Sequence, residues 1–139
     1  MTQAVRILIV DDDAVVRQAF TRVLSGEHTE VQSAASGAEA LQRLQEGAFD
    51  LVLLDLRMPG MDGISLLRTL KREWPDIEVI IVTGYAAVQT VKESIALGAF
   101  DYLAKPVGPQ DVISATRSAL AHKGWALRRE PAAAACAVA

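Results

Sequence analysis

Leu51-Val52-Leu53-Leu54-Asp55-Leu56-Arg57-Met58-Pro59-Gly60-Met61-Asp62-Gly63 decides the fold. Four apolar residues run into one carboxylate, and the chain then breaks at Pro59-Gly60. A short apolar run bounded by turn residues reads as a strand buried on both faces. Asp55 then sits where that strand leaves the core, held by a rigid element and open to solvent on one side. That position suits a nucleophile or a metal ligand. It equally suits a residue that only orders the following loop, so the rest of the chain has to decide.

Outward from this stretch, similar runs recur. Val5-Arg6-Ile7-Leu8-Ile9-Val10 is a buried-strand pattern that stops at Asp11-Asp12-Asp13. Glu30 to Ala34 is a weaker strand, the central strand takes in Phe49 to Leu54, Ile77 to Val82 ends at Thr83-Gly84, and Phe100 to Ala104 ends at Lys105-Pro106. Helical periodicity fills the intervals. The first helix, capped by Asp13 and ended by Gly26, buries Val16, Phe20, Val23 and Leu24. The second opens at Ser36 with Glu39 in a capping box, buries Leu41 and Leu44, and ends at Gly47. Asp62 caps the third, whose inner face is Leu66, Leu67, Leu70 and Trp74 before Pro75. The fourth has Val88, Val91 and Ile95 on one side, Gln89, Lys92 and Glu93 on the other, and ends at Gly98; the fifth starts near Pro109 and buries Val112, Ile113, Thr116 and Leu120. Five strands alternating with five helices imply an α/β fold with a doubly wound parallel sheet and helices on both faces.

The chain has 139 residues, 51% of them hydrophobic, which suits one domain with a full core. A net charge of −3 argues against a nucleic-acid surface. The single cysteine, Cys136, offers no internal disulfide. Neither a signal peptide nor a bilayer-length apolar stretch is visible, so a cytoplasmic protein is expected. A domain over 4–122 is expected, with 123–139 the start of a linker helix and a disordered tail.

In a parallel sheet, ligands bind beyond the carboxyl ends of the strands. Four strands here end in residues that can do chemistry: Asp11, Asp12 and Asp13 after the first, Asp55 after the third, Thr83 at the fourth and Lys105 at the fifth. Clustered carboxylates repel one another and raise each other's pKa values. A divalent cation removes that conflict, and oxygen-only ligands select a hard ion such as Mg²⁺. Such a site takes a phosphoryl group, with Lys105 as a point charge and the Thr83 hydroxyl as donor to its oxygens.

These stretches carry a resemblance. Ile9-Val10-Asp11-Asp12, Asp55 with Met58-Pro59-Gly60-Met61-Asp62-Gly63, Val82-Thr83-Gly84-Tyr85-Ala86 and Tyr102-Leu103-Ala104-Lys105-Pro106 occur in order. In this the chain resembles the receiver domains of two-component response regulators, and Thr83-Gly84-Tyr85 is similar to the nitrogen-regulation type. The resemblance implies a flavodoxin-like sheet of order 2-1-3-4-5. It implies that Asp55 accepts a phosphoryl group from a sensor histidine kinase with Mg²⁺, that Asp12 binds the ion directly, and that Asp11 acts through water or positions Lys105. The carbonyl of Arg57 completes the metal site, and the Lys105-Pro106 peptide is cis. Thr83 and Tyr102 form the switch, read out on a face of residues 86–97, 100–104 and 110–121 that controls an output domain or a homodimer. The domain catalyses only its own phosphorylation and dephosphorylation. Two rivals compete. A haloacid-dehalogenase-like phosphatase would use Asp11 as nucleophile and Asp13 as acid/base, but leaves Asp55 idle. A non-phosphorylated module of the same fold usually lacks a key residue, and none is missing here. His28 and His122 read as surface residues.

Overall fold

The computed structural model describes residues 4–84 and 87–122. Tyr85 and Ala86, and the expected linker and tail at 123–139 with Trp125 and Cys136, lie outside the described residues. The strands are β1 (Val5–Val10), β2 (Thr29–Ala34), β3 (Leu51–Leu54), β4 (Glu78–Thr83) and β5 (Asp101–Ala104). They form one parallel sheet of order β2-β1-β3-β4-β5, the arrangement expected. The helices are α1 (Ala14–Leu24), α2 (Gly37–Glu46), α3 (Gly63–Glu73), α4 (Val88–Ala96) and α5 (Pro109–Leu120).

The alternation of side chains along each strand builds two cores. Leu8, Val10, Val52, Leu54, Val79 and Ile81 face α2 and α3, with Leu66, Leu67 and Leu70 among their partners. Ile7, Ile9, Leu51, Leu53, Ile80 and Val82 face the other way, towards Phe20 of α1 and Val112, Ala115 and Ala119 of α5. Because the central strands are covered on both faces, β3 is apolar throughout and β1 and β4 nearly so, whereas the edge strand β2 carries Thr29, Glu30, Gln32 and Ser33 and reads as the weaker pattern.

Most caps act as expected. Asp13 accepts from the Val15 N–H, Ser36 from the Glu39 N–H and Asp62 from the Ile64 N–H. Glu39 reaches back to the Ala35 N–H at 2.8 Å, and this bond, helped by Arg43, holds its carboxyl below the usual range. Gly98, at φ +110°, ends α4 in a Schellman motif: its N–H donates to Ile95 and that of Ala99 to Ser94.

Two expectations fail. Gly26 follows the Ser25 C-cap of α1 but lacks the positive φ of a glycine stop such as Gly98, and it bridges instead to Thr29. In α4 the inner face is not Val88, Val91 and Ile95. Val88 and Ile95 are 71% and 47% exposed, Val91 lies at the border, and Ser94 is fully buried. The Ser94 hydroxyl donates to the Thr90 carbonyl at 2.8 Å, so it enters the interior satisfied, and its small size brings the helix close to its neighbours.

Candidate functional site

The site is built on strand ends. Asp11, Asp55 and Lys105 each stand one residue past a strand, yet each is still held by a backbone bond to the neighbouring strand. The Asp11 N–H donates to Ala34 (3.1 Å), the Asp55 N–H to Val10 (3.0 Å) and the Lys105 N–H to Thr83 (2.9 Å). Parallel strands end on one edge, so these extensions bring three remote parts of the chain together. Thr83 closes β4 fully buried.

Carboxylate oxygens of Asp11, Asp12 and Asp55 all lie within 4.8 Å of one another. Asp11 and Asp55 are 2% and 5% exposed, whereas Asp12 is exposed. Lys105 Nζ lies 2.7 Å from Asp11 Oδ2 and 3.1 Å from Asp55 Oδ2, joining the two buried acids. The Asp13 N–H donates to Asp11 Oδ1 (2.9 Å) and the Arg57 N–H to Asp55 Oδ1 (3.0 Å). The Lys105-Pro106 peptide is cis.

The electrostatics follow from burial. Desolvation pushes the Asp11 carboxyl up, and the Asp55 charge adds to it; the Lys105 and Asp13 hydrogen bonds oppose this without cancelling it. Burial pulls the Lys105 ammonium down, but hydrogen bonds and attraction from Asp11 and Asp55 outweigh it, so its net shift is upward. One cation therefore serves two buried acids with a third beside them. The donor set is oxygen throughout, with neither His nor Cys in the cluster. A hard divalent cation fits both the ligand chemistry and the excess negative charge.

After Asp55 the chain forms a small hairpin that the sequence reading missed, pairing Arg57 with Asp62 and Met58 with Met61. Gly60 takes φ +79° after Pro59, which matches a type II turn. Gly63 then passes so close to Leu56 that an added Cβ would stand 2.4 Å from the Leu56 Cα. Arg57 thus opens the hairpin with its peptide against Asp55 and its side chain exposed. Asp13, the acid/base of the phosphatase reading, is spent on capping α1. Tyr102 lies partly buried against the α2–α3 core, paired in register with Ile81. His122, far in sequence from the cluster, lies exposed with Nδ1 2.9 Å from Glu78 Oε2. Arg17 was not singled out: its guanidinium donates to the Asp11 carbonyl at 2.7 Å. The available signal was a cation in the first turn of a helix, where the dipole disfavours it.

A family model described as "Response regulator receiver domain" matches residues 7–117. Transcriptional regulatory protein ZraR of Escherichia coli K12 is 42% identical over 116 residues, covering 84% of this chain and 26% of that protein. DNA-binding transcriptional regulator NtrC of the same organism is 35% identical over 116 residues, covering 84% and 25%. The chain spans about a quarter of the length of these curated relatives. A CheY-like receiver domain from Methanospirillum hungatei JF-1 superposes with a TM-score of 0.83 at 35% identity, over 87% of this chain and 97% of that one. NtrX from Brucella abortus gives 0.82 at 30% identity, over 88% and 28%. No described helix is long and apolar enough to cross a membrane. Sequence, sheet order and relatives agree over the same span: the chain belongs to the response regulator receiver domain family of two-component systems, in the company of nitrogen-regulation-type members.

Proposed function

We propose that Asp55 is the phospho-accepting residue and that residues 4–122 form the receiver that carries it. The observation behind this is the placement of the Asp55 carboxylate within 4.8 Å of Asp11 and Asp12 oxygens, with Lys105 3.1 Å away. An Asp55 oxygen attacks the phosphorus of a sensor kinase's phosphohistidine. The P–N bond breaks, the imidazole leaves, and an acyl phosphate remains on Asp55. Lys105 exchanges its Asp55 contact for a phosphoryl oxygen while keeping Asp11, and the Thr83 hydroxyl donates to another. Asp11, Asp12, Asp55 and the Arg57 carbonyl would hold Mg²⁺, which when bound neutralises charge on the phosphoryl oxygens during in-line transfer. The domain acts only on itself: water later attacks the phosphorus, the bond to the Asp55 oxygen breaks, and inorganic phosphate leaves the free carboxylate behind.

The phosphoryl group adds about −1.5 to −2 charges at the end of β3. Thr83 moves towards it, and Tyr102 turns into the space vacated. The surface formed by α4, β5 and α5 then changes its partner, whether a second copy or an output domain beyond residue 122. The exposed Val88 and Ile95 give α4 apolar contact area for this. A cytoplasmic location follows from a kinase donor of this kind.

Radiolabel transfer from a sensor kinase or acetyl phosphate tests the acceptor. Wild type takes up label in Mg²⁺ and not in chelator, and Asp55→Asn takes up none; label on both proteins would mean another acceptor. Sedimentation with and without beryllofluoride tests the switch, and identical monomer mass in both would exclude the dimer.

A further inference from the structure

We propose that Arg17 is a positioning residue for the metal-binding acids, acting through the backbone of Asp11. This rests on the reading of Asp11, Asp12 and Asp55 as a Mg²⁺ site.

Arg17 stands in the first turn of α1, a turn without an acidic residue. A cation there opposes the helix dipole. Its side chain nevertheless turns back past the helix start, is half-buried, and donates from one Nη to the Asp11 carbonyl at 2.7 Å. The acceptor is a peptide oxygen and not one of the three carboxylates nearby. Charge neutralisation alone would not select it.

That carbonyl belongs to the peptide joining Asp11 to Asp12. A peptide is planar, so holding its C=O also fixes the Asp12 N–H and the direction in which the Asp12 Cα leaves the plane. On the other side, the Asp11 N–H is fixed by Ala34 and the Asp11 carboxylate by Asp13 and Lys105. Asp12 is exposed and belongs to no strand or helix, so its carboxylate is placed by the two peptides that flank it, one held by Arg17 and the other by the Asp13 N–H on Asp11 Oδ1.

Outer groups that orient metal ligands typically change affinity about 10–100-fold when removed. Arg17→Gln should therefore weaken Mg²⁺ binding, measured by isothermal titration, by about tenfold. Arg17→Lys, which keeps a donor and the charge, should recover most of the roughly tenfold loss of Arg17→Gln. With acetyl phosphate, the Mg²⁺ concentration for half-maximal phosphorylation should rise in Arg17→Gln while the rate at saturating Mg²⁺ stays near wild type. A fold defect alone would lower the saturating rate and leave the half-point in place. The wild-type protein supplies a check that needs no variant: the Arg17 Nη–H resonances should show restricted rotation about the guanidinium. Free rotation there, or Mg²⁺ affinity unchanged in Arg17→Gln, overturns the role of Arg17 alone. Wild-type protein that binds no Mg²⁺ overturns the metal-site reading and this proposal with it.

Discussion

Lys105→Met removes an ammonium while keeping most of the side-chain volume. The ammonium joins Asp11 at 2.7 Å and Asp55 at 3.1 Å, and both acids are buried. Breaking a buried ion pair from one side costs roughly 3–5 kcal/mol. Here the Lys105 side chain is 24% exposed, and the site opens to water. Asp11 also responds by taking up a proton, so a loss of about 2–3 kcal/mol at neutral pH is expected.

The pH dependence gives the test its sign. Burial already holds Asp11 above its ordinary value of 3.8, against the Lys105 hydrogen bond. Without Lys105 that opposition ends and the carboxyl rises further. A folded-state pKa above the unfolded one means the folded protein binds the proton more tightly. That contribution to stability is complete below 3.8 and declines as pH rises through the folded value. The Lys105 ammonium, with its net shift upward from 10.5, keeps its contribution in wild type until pH exceeds that value. The deficit of Lys105→Met should therefore be small near about pH 4 and full near about pH 8. Urea unfolding at both pH values measures it. Mg²⁺ at about a hundred times its dissociation constant should raise the stability of the variant by about 2.7 kcal/mol, to near that of Mg²⁺-free wild type, and chelator should remove that gain. An equal deficit at both pH values, indifferent to Mg²⁺, would make the loss one of packing and refute the electrostatic reasoning.

Gly63→Ala places a Cβ 2.4 Å from the Leu56 Cα and 2.6 Å from the Leu56 carbonyl oxygen, both backbone atoms that cannot rotate away. A loss near the top of the usual 1–3 kcal/mol for overpacking is expected, read as a lower urea midpoint. Ser36→Ala removes the acceptor for the Glu39 N–H and should cost about 1 kcal/mol. Because α2 contributes no ligand, Mg²⁺ affinity measured on the same protein should stay unchanged.

What the sequence revealed and what it hid divide along physical lines. β1, β3 and β4 were legible because strands covered on both faces are apolar at nearly every position, with Arg6, Glu78 and Thr83 the exceptions. Their edges were less so: Phe49 and Ile77 are buried just ahead of β3 and β4, so hydrophobicity alone extends each strand too far. The inner face of α4 was misread because counting apolar residues favours Val88 and Ile95, whereas the helix is seated through a small serine whose hydroxyl is satisfied within the helix. A pattern of side-chain polarity carries no record of that internal bond. The hairpin at Arg57–Asp62 was missed for another reason: two-residue strands are too short to show a period.

The acids and Lys105 were legible for a reason separate from the resemblance. A residue that ends a buried strand yet is polar has to be satisfied by something outside the sheet, and parallel strands present all such residues on one edge. Asp11, Asp55 and Lys105 satisfy one another across sequence separations of 50 and 94 residues. No local helix or turn rule accounts for contacts that distant, so their meeting is a property of the topology. Arg17 reaches the same site over only six residues, and it acts on a carbonyl that every residue possesses. A contact of that kind leaves no compositional trace at its acceptor, so the one trace in the sequence is at the donor, a cation at the helix end that disfavours it.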